Sequence, residues 1–165
     1  MATDPEQDRE LIEGTDAFGA KLAQMIASAV SSLIVLSLRL DRKWYARDDV
    51  VDALKQFALR SERSQARVMV ADARSATTLT NPFLELGRKL PSRIQMRELT
   101  PDKREADGPE IVIADRHCML WLENQRKLSG HFYPHAAMRV VEKLKELDGW
   151  WDESEPVLEL SGMKF

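Results

Sequence analysis

A chain of 165 residues, 44% apolar and 31% charged, is long enough for one domain with a real core and too short for two full ones. Its longest apolar run, from Ser32 to Leu38 and broken at Ser37, is too short to cross a bilayer. Cys118 is the only cysteine, which excludes an intrachain disulfide and a cysteine-built zinc cluster. The acidic opening (Asp4, Glu6, Asp8, Glu10) is the reverse of a signal peptide's basic start, so the expectation is a cytoplasmic protein without membrane insertion.

Residues 1–14 are expected to form a flexible acidic segment ahead of one domain spanning residues 15–165. Phe18, Leu22, Met25, Ile26, Ala29 and Val30 recur at helical spacing, predicting a helix that ends near Ser31–Ser32, with Thr15 or Asp16 as N-cap. Leu33–Leu40 reads as a strand buried on both faces at first. The connection Asp41–Tyr45 carries Trp44 and Tyr45, which suit either a recognition surface or a lid over the sheet's end. Asp48 or Asp49 opens a second helix, striped by Val50, Val51, Leu54, Phe57 and Ala58. Ala66–Ala71 is the next strand. Thr77 to Leu90 reads as a helix restarted at Asn81-Pro82, since proline favours a first turn. Ile94–Leu99 alternates apolar and polar residues, the period of a half-exposed strand.

Beyond a charged loop over residues 100–109, Glu110–Asp115 and Cys118–Glu123 read as a hairpin joined at Arg116-His117. A weak strand precedes a final helix from about Pro134, with Ala137, Val140, Val141, Leu144 and Leu147 on its inner side and Gly149 ending or bending it. Trp150 and Trp151 are expected to close the core, and residues 156–160 to add a short strand. Strands alternating with helices predict a single α/β domain. Its sheet is mixed but mainly parallel, flanked by helices on both faces, with an antiparallel edge from the hairpin.

Four stretches carry a resemblance: Leu38-Arg39-Leu40-Asp41 after the first strand, Ala66–Asp72 on the second, Pro109–Asp115, and the helix finishing in Gly149-Trp150-Trp151. Over roughly residues 17–155 the chain resembles one half of the phospholipase D superfamily, and most closely its small bacterial half-domains. The active families carry His-x-Lys-x4-Asp on the strand matched by Glu110–Asp115, where the His attacks phosphorus, the Lys binds phosphate and the Asp fixes the pair. Aligned on Asp115, the His position is Gly108 and the Lys position Glu110. The family's downstream Gly-Ser-x-Asn falls on Leu122, Glu123 and Gln125. Only the Asp matches. Carboxylates at 110 and 123 repel a phosphodiester that the family's donors attract, so the resemblance implies the fold and argues against the activity.

Other residues offer weaker chemistry. His131 and His135 stand four apart, a spacing that suits two metal ligands on one helix face, but Pro134 between them argues against that helix, and structural or surface roles are favoured. Cys118 with His117 is a conceivable relocated nucleophile and base, though adjacent strand residues point to opposite faces. Arg42, Lys43 and Arg74 follow the carboxyl ends of predicted strands and form a candidate anion-binding rim. Residues 60–104 hold ten basic against five acidic side chains, a net +5 in a chain of net −3.

The leading expectation is therefore a catalytically inactive phospholipase D-like domain that works as a binding or protein-interaction module, with a second copy of itself or another protein as the partner. Nucleic-acid or phospho-ligand binding through the basic 60–104 stretch is the alternative and is not favoured. A hydrolase with a relocated nucleophile is the third reading. No cofactor or metal is called for.

Overall fold

The computed structural model describes residues 9–104, 108–124, 128–135 and 138–157. The chain begins with β1 (Glu10–Glu13) and α1 (Thr15–Ser28), then β2 (Ser32–Ser37), the single turn α2 (Arg42–Tyr45) and α3 (Asp48–Arg60). β3 (Gln65–Val70), α4 (Ala73–Thr77), α5 (Pro82–Lys89) and β4 (Ile94–Glu98) follow. The second half runs β5 (Glu110–Ala114), β6 (Cys118–Asn124), β7 (Ser129–Tyr133), α6 (Met138–Glu153) and β8 (Glu155–Pro156).

The strands form one eight-stranded sheet in the order β1-β7-β6-β5-β2-β3-β4-β8. This is the expected open, mixed α/β sheet with helices on both faces. The balance differs from the expectation, because only β2–β3 and β3–β4 pair in parallel, while every other neighbour is antiparallel. The reason lies in the connections. Helical crossovers return the chain in parallel for β3 and β4, short connections make β5–β6 and β6–β7 antiparallel, and β2–β5, β1–β7 and β4–β8 are antiparallel pairings of strands distant in sequence.

Period-2 alternation sends successive strand residues to two separate cores. Leu33, Val35, Val68 and Val112 pack under α1, α3 and α5. Ile34, Leu36, Met69, Ile111 and Ile113 pack under α6, which contributes Val140, Leu144, Leu147 and Trp151. That stripe keeps helical spacing. Val141 lies about 100° away from it and is exposed rather than inward-facing.

Several local expectations change. Glu10–Glu13, placed in the flexible segment, pairs with β7 as an edge strand. The N-cap of α1 is Gly14, whose φ of 91° suits a residue without Cβ. Trp44 and Tyr45 are fully buried, so they are core and not a recognition surface. Trp44 packs on Phe18 with ring centroids 4.8 Å apart, and Tyr45 meets Phe83 edge-on at 5.2 Å. Pairing of β7 as far as Tyr133 keeps the chain extended, so Pro134 and His135 precede the last helix instead of starting it. Gly149 neither ends nor bends α6 out of helix, which continues to Glu153. The last strand is Glu155–Pro156, and residues 158–160 lie outside the described residues.

Asn81 shows how one polar side chain joins two elements. Its Oδ1 accepts from the Phe83 amide at 3.0 Å, capping α5, while its Nδ2 donates to the Leu40 carbonyl at 3.0 Å. Leu40 sits at φ 51°, at the tight exit from β2. Asn81→Ala is expected to cost about 2 kcal/mol through the lost cap and the stranded carbonyl, read as a lower urea midpoint with an unchanged slope.

Candidate functional site

The strand β5 carries an acidic residue at each end, and each carboxylate grips one end of β2. At the first end, Glu110 is fully buried. Its Oε1 accepts from the Ser37 hydroxyl at 2.5 Å and its Oε2 from the Leu38 amide at 2.9 Å. Ser37 Oγ in turn accepts from the Leu40 amide at 2.9 Å. Three donors of the β2 exit are thus ordered around one carboxylate, which ends the strand at Ser37 instead of Leu40. Tyr45 lies beside this group. Burial, and then the charge of Glu110, push its phenol well above the ordinary value, although its hydroxyl meets no partner at good hydrogen-bond geometry.

At the other end, Asp115 has φ 52° and turns its carboxylate back onto the start of β2. Oδ1 accepts from the amides of Val30, Ser31 and Ser32 at 3.1, 2.8 and 3.1 Å, and from the Ser31 hydroxyl at 3.1 Å. Oδ2 accepts from Val30 N at 3.0 Å. Burial alone would push the Asp115 carboxyl up, but these donors outweigh it and hold the pKa below the ordinary carboxylate value. They also end α1 at Ser28, since residues 30–32 turn their amides toward Asp115. Asp115 therefore fastens the entry to β2, at the far end of β5 from Glu110.

A cleft of about 360 Å³ opens on the α6 side at the carboxyl ends of β2 and β3, where open α/β sheets bind ligands. Leu36, Leu38, Ala71 and Leu99 form its apolar lining, Trp121 and Trp150 are its aromatic walls, and Gly108 and Pro109 border it. Lys103, Lys143, Glu123 and Glu146 supply its charges. Glu123 occupies a β-bulge: Leu122 pairs with Gly130 and Asn124 with Ser129, so the residue between has no cross-strand partner. A bulge re-aims a side chain, and here the exposed Glu123 joins the cleft. Gly130 makes this close strand approach possible, because a Cβ there would meet the Trp121 carbonyl at 2.0 Å.

The family model for a domain of unknown function, DUF7931, matches residues 14–163. The chain belongs to the DUF7931 family. No curated protein sequence matches it. Among solved structures, the DUF7931 domain is similar to TrmBL2, an archaeal chromatin protein with a novel mode of DNA binding, at TM-score 0.62 and 13% identity. That match covers 95% of this chain and 57% of TrmBL2, so the chain spans little more than half of that relative. It is similar over almost the whole of two others. NUC, a phospholipase D family member from Salmonella typhimurium, gives TM-score 0.60 at 11% identity, covering 91% of this chain and 97% of NUC. NucT from Helicobacter pylori gives 0.65 at 9%, covering 91% and 99%. The fold is that of the phospholipase D superfamily.

In the DUF7931 domain the motif positions separate. Gly108 and Glu123 border the cleft, Glu110 is sealed beneath the β2 exit, Asp115 is at the opposite end of β5, and Gln125 lies outside the described residues. The candidate anion rim separates as well. Arg42 lines a shallow groove with Arg39, Ser75 and Thr78, while Lys43 is drawn to Asp41 at 3.7 Å and to the Trp44 ring at 4.4 Å. Arg74 is exposed and does not line that groove.

Several arginines of the basic 60–104 stretch are engaged within the fold. Arg60 donates to the Ala27 and Ala29 carbonyls at the end of α1, and Arg93 to the Ser61 carbonyl. Arg67 and Arg97 stack on Trp151, 5.2 and 4.5 Å from the ring centroid. Arg104 donates to the Ala71 carbonyl at 2.7 Å. Cys118 and His117 do not meet as a pair. Burial pushes the Cys118 thiol up, and His117 Nδ1 lies 3.3 Å from the Asp115 carbonyl. His131 is in β7 and His135 beyond it, so the helical spacing considered for a metal pair does not arise.

The residues that sequence reasoning missed are Ser37, Trp121, Lys103 and Lys143. Ser37 left a signal, as the polar break in an apolar strand.

Because its folded-state pKa is lowered, Asp115 contributes stability in full above its unfolded-state value and loses it as pH falls from there through the folded value. Asp115→Asn is expected to cost about 1–3 kcal/mol near neutral pH. Denaturation midpoints of the two proteins should converge as the solution is acidified through that window.

Proposed function

We propose that this domain keeps the phospholipase D fold without phosphodiester chemistry and works by binding, with the cleft between α6 and the sheet as its ligand site. The observation that carries this reading is Glu110. At the position of the motif lysine there is a buried carboxylate whose two oxygens are committed to Ser37 and Leu38. Gly108, at the nucleophile's position, has no side chain to attack with. Phosphoryl transfer needs donors aimed at developing negative charge, and a carboxylate at 110 with another at 123 reverses that field. The cleft itself has the size and the mainly apolar lining of a small-ligand site.

DNA binding, stated for TrmBL2, gains less support here. Several arginines of the 60–104 stretch cap carbonyls or stack on Trp151 instead of standing free for phosphate.

Purified protein is expected to release no nitrophenol from bis(p-nitrophenyl) phosphate above the buffer rate, and Asp115→Ala to behave identically. Turnover abolished by Cys118→Ser or His117→Ala would instead establish a relocated nucleophile. The same reading includes pairing of two copies, as the superfamily resemblance implies. Light scattering at high concentration should then return a dimer mass, and a monomer mass removes that part.

A further inference from the structure

The charged groups that line the cleft are not all paired. Lys103 Nζ lies 3.5 Å from Asp102 and 3.8 Å from Glu153, and Lys143 Nζ lies 3.3 Å from Glu146. Two ammonium groups therefore face three carboxylates before Glu123 is considered. Glu123, exposed at the bulge, has no ion-pair partner among the described residues. Among the described residues both lysines are answered and Glu123 is not, at the mouth of an apolar cavity.

The walls engage the same two lysines. An indole face attracts cations through its quadrupole, and both cleft indoles already receive one. Lys143 Nζ is 4.8 Å from the Trp121 ring centroid, and Lys103 Nζ is 5.9 Å from that of Trp150. An anion entering here would meet the uncompensated Glu123 and find neither lysine free. An uncharged ligand would gain only the apolar contact. A cation with an apolar body gains that contact on Leu36, Leu38 and Leu99, and also the carboxylate.

We infer that the cleft binds an organic ammonium, with its apolar body between Trp121 and Trp150 and its charged nitrogen at Glu123. This rests on the reading of the cleft as a ligand site and names what that site selects.

Three compounds that share one ring system separate the possibilities: naphthylmethylamine, naphthamide and naphthyl phosphate. They are titrated into the full chain while the indole N–H resonances of Trp121 and Trp150 are followed. The amine is expected to shift both resonances to saturation and to bind about tenfold more tightly than the amide, with the phosphate leaving both unmoved. Glu123→Gln, at an exposed position, should reduce the amine to the amide's affinity and leave the amide unchanged. Leu38→Trp, which fills the cleft, should abolish both.

Equal binding of amide and amine, or amine affinity unaltered in Glu123→Gln, overturns the inference while keeping the cleft as a site. Tighter binding of the phosphate overturns it as well. If none of the three shifts either resonance, the cleft itself falls as a ligand site. Phosphodiester turnover remains a separate measurement, and only that would overturn the inactive reading.

Discussion

The rest of the structure depends on how β5 holds β2. The two strands pair antiparallel, with Leu33 opposite Ala114 and Leu36 opposite Ile111, and the residue at each end of β5 reaches past the ladder. Glu110 gathers Ser37, Leu38 and, through Ser37, Leu40. Asp115 gathers Val30, Ser31 and Ser32. Hydrogen bonds to charged groups are each worth about twice a neutral one, so these two groups fix both where β2 begins and where it ends. That matters because β2 is the join between the parallel and the antiparallel parts of the sheet. A slip of one residue would exchange its two core faces, and a carboxylate at both ends opposes any slip.

The same two contacts explain which parts of the fold were legible in the sequence. Strand existence was readable from period-2 alternation, as in Ile94–Leu99, and helices from stripes such as Val50, Leu54 and Phe57. The ends were less readable, because they are set by distant residues. Leu33–Leu40 stops at Ser37 on account of Glu110, 73 positions away. α1 stops at Ser28 on account of Asp115, 85 positions from Val30. Trp44 and Tyr45 suited either a recognition surface or a lid because their flanks are polar, and their packing on Phe18 and Phe83 places the rings in the core.

Of the candidate site, the departures from the motif at Gly108 and Glu110 were legible once the resemblance was aligned on Asp115. The cleft was not. Its walls come from β6 and α6, its apolar lining from the exits of β2 and β3 with Leu99, and no local spacing joins Trp121 to Trp150. The contacts of the basic stretch were hidden for a related reason. A run of arginines reads as a surface field, yet guanidinium groups also satisfy the carbonyls left open at helix ends, and Arg60 does so for α1.

Glu110 is thus more than an absent lysine. A lysine placed at 110 would bring three donors and no acceptor to a buried point where Ser37 O–H and Leu38 N–H already donate. Two donors would lose their acceptor and a cation would be buried without one, a loss of several kcal/mol. Restoring the motif by two substitutions at 108 and 110 would therefore unfasten the exit of β2 before it rebuilt a phosphate site. The exit is also what shapes one side of the cleft, through Leu36 and Leu38. The carboxylate at the position of the motif lysine is thus part of the scaffold that shapes the cleft beside it.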